Sequence, residues 1–524
     1  MLSGKTQGAG ACHNPLRVLD FLRSDIGRRS AILGAVLLAS YAYFYEGGGW
    51  NQNTRFDLVR AITERGTVQI DVYASNTGDR ALFDGHFYTD KAPGASLTAV
   101  PAVAVTRVVL RVFGRDLYSA ETVTALSYVA TVAAAGVPAV LAALSIFWIA
   151  VRFGAGHTAA GVAAVVCGLG TPLWAYATLL YGHALAAGCL AAGVWCVVWL
   201  ADPARRASDA TVGFCAGAAA GWAVVTEFPA AIPSALIAAW ALWAARRWET
   251  PRQVRLACSL GAGLGVAAAI LLTYNWIAFG NMFHIAYTSE EGSFEAMKTG
   301  LFGINWPQLD VAYELLFGRY RGLLPLAPVL VLAPIGLWLW TRRAPERAVA
   351  LASAGVATYY FLLTAGYSYW DGGWSYAARH VGPALPFLAL GIAPLWQRAG
   401  RLVRAVVLVL AVAGIGQTLV AVATTPQPSG GDNAPRDPMR ELLWPAFVSG
   451  DFPIGWQSVL ERDAPSEPMS ELVRRGIPRA SWNIGQKLGL RGHASLLPLM
   501  AIWIVGFIVW RRVSVGKHEV ADGV

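Results

Sequence analysis

Apolar residues in this chain gather into long, nearly unbroken runs. They recur near 30–47, 119–151, 157–177, 182–201, 210–226, 228–245, 256–279, 322–341, 348–366, 381–397, 402–424 and 493–510. A helix needs about 20 apolar residues to cross the hydrocarbon core of a bilayer, and most of these runs approach or exceed that length. The pattern predicts an all-α integral membrane protein with about 12 transmembrane helices (range 11–14).

Composition agrees with the pattern. Of the 524 residues, 56% are hydrophobic and only 14% are charged, against about 25% charged in soluble proteins. The 21 Trp and 11% aromatics exclude a disordered chain. The formal net charge of +9 does not indicate nucleic-acid binding, because the basic residues form short clusters between apolar runs. Cys167, Cys189, Cys196, Cys215 and Cys258 lie inside apolar runs and Cys12 in the N-terminal tail, so no structural disulfide or metal site is expected.

Those basic clusters set an expected orientation. Arg28 and Arg29, Arg152, Arg205 and Arg206, Arg246 to Arg255, Arg342 to Arg347, Arg398 to Arg404, and Arg511 to Lys517 flank the runs. The positive-inside rule puts them in the cytoplasm. This gives a cytoplasmic tail at 1–29, a transmembrane core at 30–424, an external region at 425–492 capping the core, and a last span with a cytoplasmic tail at 493–524. The expected location is the plasma (bacterial inner) membrane, with both termini inside and the working face outside. Residues 93–112 are apolar but carry Pro101, Arg107 and Arg111. They are read as an interfacial helix with a headgroup-facing arginine stripe, followed by one long span.

Chemistry-capable residues concentrate in external segments, mainly 48–118, 280–321, 367–380 and 425–492. In 51–66, Phe56, Leu58, Val59 and Ile62 mark a short amphipathic helix on the outer leaflet, with Asp57 at the bilayer surface or paired with Arg60. The stretch 71–94 holds Asp71, Asp79, Asp84 and Asp90, the aromatic Tyr88, and the single lysine of the loop, Lys91. A cation at headgroup depth suits a lipid phosphate; the plainer alternative is a snorkelling anchor. His183, in a turn, reads as a headgroup contact, and Glu227, closing a span, as functional or paired. In 366–383, Trp370, Asp371 and Trp374 form either a sugar-stacking platform or an aromatic belt, beside Arg379 and His380. No phosphate-cradling Gly-rich loop followed by Lys-Ser or Lys-Thr is present.

Thr54-Arg55-Phe56 and Asp90-Lys91-Ala92-Pro93-Gly94 resemble segments of the polyprenyl-phosphate-dependent membrane glycosyltransferases of the C-type fold, which include the protein O-mannosyltransferases and the lipid A aminoarabinose transferase. The second segment is similar to that family's acidic-Lys-Pro-Pro-Leu motif. The family's acidic pair before Thr-Arg is replaced here by Gln52-Asn53, which leaves Asp57 as the nearest carboxylate. The resemblance implies a sugar transferred, with inversion, from a polyprenyl-phosphate carrier to an envelope acceptor at the outer face. Asp57 would be the base, with Asp71 and Asp79 in reserve. Lys91, Arg379, Arg55 and His380 would hold the carrier phosphate, and Asp71, Asp79, Tyr88, Trp370, Asp371 and Trp374 would line the sugar or acceptor site. No definite cofactor is implied, a divalent cation stays open, and nucleic acid is no partner. The rival class is a polytopic transporter or lipid flippase. Transporters usually carry two related halves, and no such repeat is visible.

Overall fold

The computed structural model describes residues 24–515 apart from 204, 206, 292–298, 431–433 and 461–478. Most of the 1–29 tail, the end of the 493–524 region and the middle of the 425–492 cap therefore lie outside the described residues, together with Cys12, Arg206 and Lys517.

The chain is overwhelmingly helical. The principal helices are α1 (Asp25–Ala42), α2 (Trp50–Arg60), α3 (Gly94–Val112), α4 (Ala120–Arg152), α5 (His157–Leu169), α6 (Gly182–Leu200), α7 (Asp209–Thr226), α8 (Ala231–Ala244), α9 (Thr250–Phe279), α10 (Ala344–Ala365), α11 (Arg401–Thr424) and α12 (Leu497–Val515). Among the described residues, eight helices are long and apolar enough to cross a membrane, and three further apolar helices are shorter. Several of the other apolar runs are broken by proline or glycine. Residues 322–341, for example, divide into short helical pieces around Pro325, Pro328 and Pro334.

Two expectations about the first loop change in the structure. The helix expected at 93–112 forms as the 19-residue α3, and α4 follows it as one long helix, as expected, continuing through a π-turn at Val132–Gly136; what changes is burial. Arg107, expected to face headgroups, is buried and donates to Glu64 at 3.1 Å. A guanidinium on the inner face of a helix is tolerated because it finds a carboxylate. Helix α2 is likewise buried along Asn51–Val59 instead of lying on a surface.

The chain also contains short strands that hydropathy did not indicate. Strands β1 (Phe44–Tyr45), β2 (Arg80–Phe83), β3 (His86–Thr89) and β4 (Trp482–Asn483) make two antiparallel ribbons, β1 with β4 and, within the first loop, β2 with β3. Asp84 and Gly85 turn the second ribbon with φ of 49° and 79°. Positive φ at both central residues is what a two-residue hairpin requires, and Asp-Gly supplies it at low cost.

The two ends of the helix bundle differ in chemistry. At one end Arg152 pairs with Asp202, Arg252 with Asp209, and Arg29 stacks over Trp510. These contacts gather the start of α1, the end of α4, the starts of α7 and α9 and the end of α12. The opposite end receives the end of α1, the hairpin, the starts of α3 and α6 and the ends of α7, α9 and α10. That second end carries the site.

Candidate functional site

The hairpin positions the first set of side chains. Thr54 Oγ1 on α2 donates to Thr89 Oγ1 at 2.9 Å, and the Lys91 amide donates to the same oxygen at 3.2 Å. This fixes the turn that runs from β3 into α3. Lys91 Nζ then lies 3.0 Å from Asp79 Oδ2 and bonds Asp90 Oδ2. The second loop docks on the free edge of β2: Ala81 bridges Glu290, and the Glu291 amide donates to the Arg80 carbonyl at 3.0 Å. Two carboxyl groups, Asp79 and Asp90, therefore hold one ammonium between them, and Glu290 lies against Asp90 within the field of Lys91.

Helix α7 brings the second set. Gly94 at the head of α3 packs so tightly on the end of α7 that a Cβ there would meet the Thr226 backbone at 2.7 Å. That close approach places Glu227 beside the Lys91 turn. Glu227 Oε1 accepts from Arg55 Nη2 at 3.3 Å and lies 3.7 Å from His183 Nδ1. Gly182 leaves room for this carboxylate, since a Cβ there would come within 2.1 Å of Oε1.

The aromatic segment closes the third side. His380 meets His183 edge-on at 5.4 Å and Tyr367 at 4.9 Å. The Arg379 guanidinium lies 5.3 Å from the Tyr181 ring centre. Tyr181 Oη in turn donates to the Trp374 carbonyl at 3.0 Å. Arg379 and Lys91 act together on Tyr367: burial pushes its hydroxyl up to about 12, and both cations pull it back.

These groups tune one another. Burial opposes charge on Lys91, but Asp79 and Asp90 outweigh it and hold the ammonium above its ordinary value. Burial pushes the Asp90 carboxyl up, with Lys91 pulling it down. Glu290 is pushed up to about 7, first by burial and then by Asp90, with Lys91 opposing. Glu227 is raised by burial against Arg55 and Arg379. His380 falls well below its usual value through burial beside Arg379 and Lys91, so it stays a neutral imidazole near pH 7. The result is a fixed pair of cations, neutral imidazole and a carboxyl that changes charge near neutrality.

The expected site residues divide between this cluster and other places. Lys91, Asp79, Arg55, Arg379 and His380 come together. Asp57 does not join them. It lies two residues beyond Arg55, about 200° around the helix, and is fully buried. Its Oδ1 accepts from Asn76 Nδ2 at 3.0 Å, and the same Asn76 amide reaches the Val459 carbonyl at 2.9 Å. Burial raises the Asp57 carboxyl well above its usual range, with Asn76 and Arg60 opposing. Arg60 itself pairs with Glu64 at 3.1 Å and stacks on Tyr73, so the expected Asp57–Arg60 surface pair does not form.

The others have structural partners. Asp71 holds the hairpin, accepting from the Phe87 amide at 2.6 Å and meeting His86 Nδ1 at 2.8 Å. Tyr88 packs its ring on Phe279. Asp371 accepts from Tyr320 Oη at 3.1 Å, Trp370 meets Tyr320 edge-on, and Trp374 is 43% exposed. Trp370 and Asp371 belong to a neighbouring cluster around Tyr320, joined to the Lys91 group through Tyr181. Glu290 and Tyr287 were legible only as polar loop residues. Nothing in the sequence indicates that Glu290 docks on a hairpin more than 200 positions earlier.

No family model matches the chain and no curated protein matches it. Among solved structures it is similar to ArnT from Cupriavidus metallidurans bound to undecaprenyl phosphate, at 16% identity over 96% of this chain and 78% of that one, with a TM-score of 0.45. The same protein in the apo state gives 15% identity over the same shares and a TM-score of 0.43. The archaeal oligosaccharyltransferase AglB from Archaeoglobus fulgidus, in complex with an inhibitory peptide and a dolichol-phosphate, gives 12% identity, 84% of this chain, 61% of that one and a TM-score of 0.43.

Proposed function

We propose that this chain is a membrane glycosyltransferase that moves a sugar from a polyprenyl-phosphate carrier to an acceptor at the outer face. The observation that carries the reading is Lys91, held between Asp79 and Asp90 at the head of an apolar helix, with Arg379 acting on the same Tyr367. Two cations at the end of an apolar bundle suit a lipid phosphate whose tail remains in the bilayer.

The reaction needs few groups. The carrier phosphate is already a good leaving group, so its departure calls for cations and no general acid. The acceptor hydroxyl calls for one base. Displacement in a single step inverts the anomeric carbon. Lys91 and Arg379 stabilise the departing phosphate, and its approach releases Lys91 from one carboxyl partner. The base faces Lys91: Glu290, pushed up to about 7, is better matched to neutral pH than Asp57 on the far side of α2.

The orientation proposed with this reading places the site end outside and the arginine-rich end, with both termini, in the cytoplasm of a bacterial inner membrane. The test is transfer from radiolabelled polyprenyl-phosphate sugars by the purified full chain in lipid vesicles. Label leaving the carrier only with active protein supports the reading. Carrier that crosses the bilayer with its sugar intact makes the chain a flippase. Thiol labelling at Ser75→Cys and Ser429→Cys from outside intact cells checks the orientation.

A further inference from the structure

At the end of the bundle opposite Lys91, two adjoining hollows share Thr158 and run along the same three helices. The outer one, of about 410 Å³, is polar and is lined by Arg29, His157, Trp396, Gln397 and Arg404. The inner one, of about 370 Å³, is almost wholly apolar and continues along α1, α5, α11 and α12 through residues such as Val36, Val162, Val412 and Phe507. Glycine lets the helices around it approach closely: a Cβ at Gly161 would meet the Trp510 ring at 2.9 Å, and one at Gly506 would meet Val36 at 2.4 Å. Nothing in the Lys91 chemistry uses this region.

The charges at the mouth are built in. Arg29 is buried on α1, lies 3.7 Å from Asp25 and stacks on Trp510. His157 lies 3.7 Å from the same Asp25. Arg404 donates through Nε to the Trp396 carbonyl at 3.1 Å and stacks over that indole. Gln397 accepts from the Gly156 amide at 3.0 Å, which ties the hinge before α5 to the α11 side. Asp25 is thus met by Arg28, Arg29 and His157, while Arg404 lines the same hollow from its other side.

We propose that this paired hollow is a binding site for an anionic glycerophospholipid, with its phosphate between Arg29 and Arg404 and an acyl chain in the apolar groove. Charge complementarity and continuity select this occupant. A free anion would leave the groove empty beside lipid, and a purely apolar helix would leave Arg404, which meets no carboxylate among the described residues, without an anion. The outer groove residues are strongly exposed in the protein itself, with Val412 at 66% and Phe507 at 63%, which is what a lipid-covered wall requires. An occupant here would join α1, α5, α11 and α12, and so brace the far end of the helix that leads to the site.

The test uses the full chain, delipidated in detergent and re-equilibrated with equimolar phosphatidylglycerol and phosphatidylethanolamine, then read by native mass spectrometry. Wild type should retain phosphatidylglycerol about fivefold or more over phosphatidylethanolamine, the size expected from one cation at a surface. Arg404→Ala should bring the ratio close to one, and Arg404→Lys should keep the preference. Val412→Trp, which fills the groove from its lipid side without touching the core, should lower retention of both lipids. Melting curves confirm that each variant is folded. Equal retention of the two lipids by wild type overturns the proposal, as does an unchanged preference in Arg404→Ala. A dimer that Val412→Trp converts to monomer, with lipid unchanged, would make the groove a contact between two copies. Stabilisation by inorganic phosphate as large as that by phosphatidylglycerol would make the mouth a free-anion site.

Discussion

The two faces of helix α2 carry carboxyl chemistry of opposite kinds. On the Arg55 face, Glu227, Asp79, Asp90 and Glu290 share the field of Lys91, Arg55 and Arg379. On the Asp57 face, the Asp57 carboxyl is sealed under Asn76 and Val459 and accepts from one side-chain amide, while the nearby Arg60 is engaged by Glu64. Position near the membrane and early in the loop is common to both. What separates them is whether a cation makes direct contact: Lys91 touches Asp79 and Asp90, whereas Arg60 beside Asp57 is engaged by Glu64. Burial with one neutral donor favours the protonated form of a carboxyl; a carboxyl on the edge of a cationic cluster can exchange its proton near pH 7.

The largest effect expected from this difference is on turnover. Glu290→Gln removes basicity while keeping size, and should lower kcat by about 10²–10⁴-fold with carrier binding retained. The pH profile of the wild type should rise through about 7, as the Glu290 carboxyl ionises. Turnover near the wild-type level in Glu290→Gln, together with loss in Asp79→Asn, would move the base to Asp79 and keep the comparison of faces. Lys91→Ala comes next. A lost charge-assisted contact to phosphate costs about 1.5–3 kcal/mol, so affinity for the unglycosylated carrier should fall by about tenfold or more, measured by tryptophan quenching. An unchanged affinity would reduce Lys91 to an organiser of the hairpin turn.

A third region sharpens the contrast. Glu46, just after α1, accepts from Thr425 and Ser481 at 2.8 and 2.9 Å and is pushed up to about 7 by burial, which those hydroxyls oppose. Its folded value lies above the ordinary 4.5. The stability it contributes is therefore fully present below about pH 4.5 and is lost as pH rises through about 7. Glu46→Gln should flatten that loss and raise Tm at pH 8, by an amount corresponding to roughly 1–3 kcal/mol. Melting curves at pH 5 and 8 decide it, and an identical pH slope in the two proteins would show that Glu46 ionises without cost. On the proposed reading, the smallest effect is expected at Asp57→Asn, with turnover within about threefold of wild type because the side chain keeps its size and its hydrogen bond to Asn76. An inactive but stably folded Asp57→Asn protein would return the base to Asp57 and reverse the assignment of the two faces.

How much of this was legible in the chain follows from the range of each signal. Hydropathy runs and arginine clusters are local, and they determined a helical protein made for a membrane, with its arginines at one end and its acidic and aromatic residues at the other. The Asp84-Gly85 turn was also local and carried a hairpin signal that hydropathy masked. Lys91 stood out because a lone lysine between an aspartate and a proline, ahead of an apolar run, marks a charge at a helix entrance. Which carboxyl serves that lysine was beyond local reading. Arg55 and Asp57 differ by two positions, and only the packing of α2 against α7 on one side and Asn76 and Val459 on the other decides which face is charged. Glu290 reaches the site through backbone pairing with a strand far earlier in the chain, and Glu227 through the close contact that Gly94 permits. The sequence by itself determined which residues could ionise and which helices could enter a bilayer, because those depend on side-chain chemistry and short-range periodicity. Tertiary structure alone decided which of those groups share a dielectric environment, because distance and burial between remote segments set their charge.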